Sequence, residues 1–441
     1  MMAAIYSKLC GRGQGDAKIF YCQVETYFGT KEYARHGRCV RLIGIEEGDF
    51  HNLRKGGEDG VTTHIIDLDF WRYFQQRLSL AHWWEVLQHI EMIKTLEAQL
   101  HGKRSWFIIE IETGQSSADY YYPTFSKDEP TYIGAFSIKP VRRKGLPDLT
   151  KSIKLQVCQS FLKTEHSLFF DSYPNFHCGE ISPLIHRRGS SVPYRFHAFH
   201  VGQGMCSLVD NGQFGYLLDA GAGKPVTRKR YFDKTKPMLN DLALKVQLLA
   251  ELVMVTSHTD YDHWKLLAWD TNLRTKIRAI MVPYGVDHLL FKDKEIIKKC
   301  FSTSSMKIKL ADNTFLELIR SKPSFNDANG DCIVTVFTRG AERVLAPGDY
   351  VYSRFTTDSS SHIKNLHQHS YKAVIVPHHG DKESANNVVI ADSPDAHAFF
   401  SAGTHGYYKH PTYESRTKHK AANFVEICDE TKDYIKAVLL L

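Results

Sequence analysis

No stretch of this 441-residue chain stays apolar for the 18 or more residues that a membrane-spanning helix needs, so no helical membrane anchor is expected. The opening MMAAIYSKLCGRGQGDAK has no apolar core of the kind a secretory signal carries, which argues against export. Nine cysteines stand at 10, 22, 39, 158, 178, 206, 300, 332 and 428, an odd number with no CxxC pair. That excludes a cysteine zinc ribbon, argues against a disulfide scaffold and fits a reducing, cytoplasmic setting. A nucleotide-phosphate loop is lacking too. GRGQGD (11–16) follows no strand and has no Lys-Ser/Thr pair. Charge of one sign is in only mild excess, at +7, which permits a polyanionic partner without requiring one.

What is present is a soluble-type composition, 43% hydrophobic and 24% charged, long enough for two domains. The polar run HRRGSSVPYR (186–195) is the expected boundary, giving domains at 1–188 and 189–441. The first reads as α+β of unknown fold. Strands are expected at 18–27, 38–46, 61–70 and 104–113, rich in β-branched and aromatic residues. A helix is expected over 79–100, where Trp83, Val86, Leu87, Ile90, Ile93, Leu96 and Leu100 recur at helical spacing. No chemistry is legible there, so a partner-binding or regulatory role is the expectation.

The second domain alternates strands and loops. Strands are expected at 195–201, 206–210, 214–219, 252–256, 277–283, 331–337, 342–347, 371–377 and 396–402, with helices over 238–251 and from Trp264. Asn211-Gly212 marks a hairpin. Five of the strands run into Asp or His: Asp219, then His258, Asp260, Asp262 and His263, then Asp349, then His378 and His379, and, past Ser401, His410. Each piece alone has a bland reading, a charged loop or a turn. Their order and their setting after apolar strands carry the signal, because a sheet edge positions ligands through its loops. Divalent metal supplies the opposite charge that makes close aspartates tolerable. Six or so ligands exceed one tetrahedral site and suit two ions about 3.5–4 Å apart, zinc or manganese, bridged by a carboxylate and a hydroxide.

These residues resemble the metallo-β-lactamase-fold hydrolases, and within them the hydrolase domain of ComEC-type competence proteins. The matching motifs lie within about 195–413: HVGQGMCSLV (200–209), LLDAG (217–221), SHTDYDH (257–263), Gly348-Asp349, VPHHG (376–380) with Ser384, and SAGTHGYYKHP (401–411). The resemblance implies an αββα sandwich and a dinuclear centre. It places His258 and Asp260 on one ion, Asp262 and His263 on the other, Asp349 as the bridge, and His378 or His379 completing a shell. Asp219 would orient a ligand, and Asp262 and His410 would serve catalysis. The chain departs from the wider pattern at Asp260, where histidine is commoner and whose oxygen favours manganese somewhat. It also departs at Trp264-Lys265, and before the Gly-Asp strand, where Asn329 or Asp331 stands in place of a histidine. The competence proteins' membrane channel is missing, so DNA import is not implied.

A metal-dependent phosphodiesterase or nuclease is the expected activity, with nucleic acid or another phosphodiester as partner. The run Lys224, Arg228, Lys229 and Arg230 after the Asp219 loop would hold phosphate. Two alternatives stand beside it: a small-molecule ester or lactone hydrolase, and a regulatory module with a vestigial metal site. A bacterial defence effector would look similar, by analogy alone.

Overall fold

The computed structural model describes residues 17–29, 39–54, 59–69, 106–114, 119–140, 156–157, 192–286, 288–324, 329–403, 409–429 and 431–441. The GRGQGD stretch, the 79–100 helix, most of the expected boundary and positions 404–408 of the last motif lie outside them. Two compact units emerge: residues 1–152 with 292–294, and the remainder of 153–441.

In the first unit six strands close a barrel: β1 (Lys18–Gly29), β2 (Cys39–Glu46), β3 (Thr63–Asp69), β4 (Trp106–Thr113), β5 (Tyr120–Pro123) and β6 (Thr131–Pro140). Their order around it is β1-β2-β3-β5-β6-β4, and every pair is antiparallel. The period-2 alternation of a strand sends one set inward: Phe20, Cys22 and Val24 on β1, Val40 and Leu42 on β2, Phe107, Ile109 and Ile111 on β4. Helix Glu47–Arg54 follows β2 and packs on β1 and β2. The four strands expected from the sequence are β1 to β4. β5 and β6 are additional.

The second unit holds two mixed sheets. Its strands are β7 (Gln156–Val157), β8 (Arg195–His200), β9 (Cys206–Asp210), β10 (Phe214–Ala220), β11 (Glu251–Val255), β12 (Ile277–Pro283), β13 (Cys300–Thr303), β14 (Met306–Ala311), β15 (Thr314–Arg320), β16 (Ile333–Arg339), β17 (Glu342–Ala346), β18 (Ser370–Tyr371), β19 (Ala373–Ile375), β20 (Ile390–Ala391), β21 (His397–Phe400), β22 (Val425–Cys428) and β23 (Lys436–Leu439). One sheet runs β23-β8-β9-β10-β11-β12-β13-β7 and the other β14-β15-β16-β17-β19-β21-β22. Each is antiparallel at one end and parallel at the other.

One core lies between the sheets. Tyr216, Leu218, Val253, Val255, Ala279 and Met281 come from the first sheet, and Leu316, Leu318, Phe337, Val344, Ile375 and Phe399 from the second. Helices Asp241–Leu248, Lys265–Trp269 and Thr271–Lys276 cover the first sheet. Tyr350, Tyr352, Phe355, Ile363 and Leu366 pack on the outer face of the second, near Leu345 and Val374. This is the αββα sandwich the motifs lead one to expect. The apolar run LVMV (252–255) is the body of β11, buried on both faces as a parallel inner strand must be. Among the described residues no helix is long and apolar enough to cross a membrane.

Candidate metal centre

Parallel neighbours end at the same edge of a sheet. The loops after β10, β11, β17, β19 and β21 therefore meet at the carboxyl edge of the sandwich, where an open α/β sheet places its ligands. Glycines let them meet closely. A Cβ on Gly221 would sit 1.9 Å from the Asp262 carbonyl oxygen, and one on Gly403 would sit 1.6 Å from that of Lys224. The AGAGK and SAG segments are thus backbone-on-backbone packing beneath the site. The two sheets are also joined here, where the Ile333 N–H donates to the Ser257 carbonyl at 2.7 Å.

The centre is built around Asp349, which is 4% exposed. Its two oxygens divide the surroundings. Oδ2 lies 3.5 Å from His258 Nε2 and 3.8 Å from His378 Nε2. Oδ1 lies 3.2 Å from His263 Nε2 and 4.0 Å from His379 Nε2. Asp260 joins the first side, 3.7 Å from His258 Nε2, and Asp262 the second, 3.0 Å from His379 Nε2. Each side therefore carries two imidazoles, one aspartate of its own and one oxygen of Asp349.

The imidazoles face inward because their other nitrogens are held. His263 Nδ1–H donates to Asp219 Oδ2 at 2.9 Å, His378 Nδ1–H to Asp381 Oδ2 at 2.8 Å, and His379 Nδ1–H to the Ser401 carbonyl at 2.8 Å. A neutral ring so held presents a lone pair at Nε2, the arrangement by which proteins orient histidine toward metal. Asp219 also accepts from the Ser257 N–H at 2.7 Å and the Ser257 hydroxyl at 2.6 Å. Asp219, His378 and His379 have φ of 58°, 48° and 56°, a region costly for residues with a Cβ and kept where surrounding structure enforces it.

Four buried atoms at this centre make no hydrogen bond: His258 Nε2, His263 Nε2, His379 Nε2 and Asp349 Oδ1. Leaving such groups unpaired costs about 1–3 kcal/mol each, more when charged. His258, His263 and Asp349 form one set of donor atoms all within 4.8 Å of one another, and Asp262, His263 and His379 form another. The donor set, imidazole nitrogen with carboxylate oxygen, fits a divalent transition metal.

Charge within the cluster agrees. Burial acts to raise the Asp349 carboxyl, but His263, His258 and His378 outweigh it and hold the group well below the usual carboxylate range. Burial likewise opposes ionisation of Asp262, and His379 and His263 overcome it. Burial lowers His378, yet Asp349 and Asp381 push it up to about 9. The carboxylates thus demand positive charge, which protons supply where no cation does.

His410 stands beside the cluster. Its ring is 5.8 Å from that of His378, and Gln203 Nε2–H donates to its Nδ1 at 3.1 Å. Burial, with His379 and His378 adding to it, brings it down to about 4, so the ring is neutral and its proton sits on Nε2. The basic run is less uniform. Arg228 is buried with its guanidinium 5.2 Å over the Phe232 ring. Arg230 bonds Asp433 at 2.6 Å and the Lys236 carbonyl at 2.5 Å. Lys229 is exposed and Lys224 half-buried. Asp331 bonds Arg320 at 2.7 Å. Sequence reasoning overlooked Asp381 and gave no role to Ser401 or Gln203, although both lie within its motifs. Asp381 could have been suspected from its place directly after His-His-Gly. The Ser401 carbonyl leaves no trace in a sequence.

No family model matches the chain, and no curated protein matches it. Solved structures do. The metallo-β-lactamase fold protein YhfI from Bacillus subtilis is 12% identical and aligns with 56% of this chain and 100% of its own length, at a TM-score of 0.34. The isothiocyanate hydrolase from Delia radicum gut bacteria is 15% identical over 55% of this chain and 99% of its own, at 0.32. A point mutant of the β-hydroxylase CmlA is 10% identical over 56% of this chain and 54% of its own, at 0.33. The activities named belong to those proteins.

Proposed function

We propose that the sandwich unit is a dinuclear metal-dependent hydrolase acting on phosphodiesters, and that nucleic acid is its substrate class. The observation that carries the metal reading is the convergence of three buried Nε2 atoms and Asp349 Oδ1 with no hydrogen bonds among them. His258, Asp260, His378 and Asp349 Oδ2 would hold one ion, and Asp262, His263, His379 and Asp349 Oδ1 the other. Both histidines of the His-His-Gly motif then serve, one on each side. Bound ions of this kind polarise a substrate oxygen and make a water nucleophilic at neutral pH.

The remaining work belongs to the chain. Asp219 and Ser401 fix the tautomers of His263 and His379. His410, oriented by Gln203 and beside His378, is the candidate proton carrier for the leaving oxygen. Lys229 and Lys224 are the cations that remain suited to phosphate, since Arg228 and Arg230 have other partners. The kinship with the competence-type hydrolase domain belongs to the same proposal, resting on the ordered motifs and on Asp260 within them.

The test joins metal content to a cleavage screen. Purified protein should carry about two equivalents of zinc or manganese and cleave DNA, RNA or a generic phosphodiester, while Asp262→Asn should lose cleavage. Less than about one equivalent of metal would favour a vestigial site. Full metal with cleavage of esters or lactones alone would move the substrate class to small molecules.

A further inference from the structure

His379 is fixed by a backbone carbonyl, but His378 is fixed by a side chain, and that side chain is itself fixed. Asp381 Oδ2 takes the His378 Nδ1–H, while Asp381 Oδ1 accepts from the Ser384 N–H at 2.8 Å. The Ser384 hydroxyl donates to the Asp381 carbonyl at 2.6 Å, so it must accept, at 2.7 Å, from the hydroxyl of Ser415. Ser415 lies on helix Tyr413–Ala421, one turn before His419. The His419 Nδ1–H donates to the Ser415 carbonyl at 2.8 Å, and its Nε2 accepts from the Tyr352 hydroxyl at 3.2 Å. Ser384 and Ser415 are 0% exposed and His419 is 1%. Thr412, which caps this helix, donates its N–H to the Gly380 carbonyl at 2.8 Å.

We propose that Asp381, Ser384 and Ser415 are positioning residues that set the affinity of one ion of the pair, the one held by His378, through a buried relay to helix Tyr413–Ala421. The inference rests on the dinuclear reading above. The His419 Nδ1–H has the Ser415 hydroxyl at 3.5 Å as a weaker second acceptor, but nearer the metal side each donor has one acceptor, which leaves His378 a single orientation with its Nε2 toward Asp349. His378 is also the most exposed imidazole of the cluster, its side chain 32% accessible, so packing holds it less than it holds His258 or His263. Burial brings His419 down to about 4, which keeps it neutral and the direction of its bonds fixed. The imidazoles of the other ion have no such dependence, because His263 is oriented from Asp219 and His379 from the Ser401 carbonyl.

Cobalt titration of the full chain, followed by visible absorption and chelator competition, tests this. Wild type should bind two equivalents. Asp381→Ala should keep one tight equivalent and bind the second about 10- to 100-fold more weakly, the usual cost of removing an orienting partner. Ser415→Ala, which spares the packing, should weaken the same ion by a smaller factor, and Ser415→Thr should restore it. In a His378→Ala background, Asp381→Ala should add no further loss. Equal weakening of both ions, or additivity with His378→Ala, overturns the relay. So does two-equivalent binding that Asp381→Ala leaves untouched. Wild type that binds no cobalt overturns the dinuclear reading itself.

Discussion

Buried charge at Arg41 of the barrel and at Asp349 of the sandwich is disposed of in opposite ways. In the barrel, Arg41 meets Asp67 through two bonds of 2.7 and 2.6 Å, with side chains 4% and 0% exposed. Charge and hydrogen bonds are matched, and the pair is closed. In the sandwich, Asp349 and the three imidazoles His258, His263 and His379 are as deeply buried, but their lone pairs point at common space. A closed pair is structural chemistry. An open cluster is maintained only if something else completes it. Burial of charge therefore says little by itself, and the state of the remaining lone pairs says much.

The largest effect is expected at the open cluster. Asp349→Ala removes the group that faces both sides, and hydrolysis should fall by at least on the order of 10³-fold, as when a group acting on the transition state is lost. A phosphodiester assay checks this. Activity close to wild type would mean that Asp349 is not at the reaction centre.

Arg41→Ala should do the converse. It strands the buried Asp67 carboxylate, and breaking a buried pair from one side costs about 3–5 kcal/mol. Urea unfolding should show that loss while cobalt stoichiometry at low urea stays at its wild-type value. If metal binding falls with barrel stability, the closed pair is not merely structural.

How much of this contrast was legible beforehand differs between the units. The sandwich's cluster was legible because each candidate ligand follows an apolar strand, and a strand ending in Asp or His in a parallel sheet can only deliver it to one edge. Asp219, the 258–263 group, Asp349 and the His-His pair were found that way. What escaped were partners rather than ligands: Asp381, Gln203 and the Ser401 carbonyl act through geometry that alternation does not encode. Strands β13 to β15 were also passed over, although Ile308 and Leu310 alternate before an Asp312-Asn313 turn in which Asn313 has φ of 54°. In the barrel, alternation located β1 to β4, but closure depends on which strands pair, and β5 has only four residues to declare itself.

Acid should blur the comparison, because each unit carries a histidine that burial keeps neutral. In the barrel His64 is pulled down by burial to about 4, as is His419 in the sandwich. The unfolded values lie near 6.5, so between pH 6.5 and 4 the unfolded chain binds more protons and stability falls as pH falls. Each histidine contributes up to about 3 kcal/mol that is fully present above pH 6.5 and lost by about pH 4. His64→Gln and His419→Gln should each flatten the pH dependence of the urea midpoint over that window, at some cost in stability at neutral pH. An unchanged slope in His419→Gln would mean that this ring is not kept neutral by the fold.

The smallest effect should come from the basic run, and it separates the substrate proposal from the metal one. Lys229 is exposed, whereas Arg230 is spent on Asp433 and Arg228 is buried. If Lys229 contacts a phosphate, Lys229→Ala should raise KM for a nucleic acid a few-fold, leave kcat and metal content alone, and lower the slope of log affinity against log salt by about 1. The same change should not affect a small uncharged ester. Arg230→Ala, by contrast, should loosen its contact with Asp433 and show itself in stability before it shows in KM. A Lys229→Ala protein whose salt dependence matches wild type would remove the run from the substrate path, and the case for a polyanion would then fall back on the active-site motifs alone.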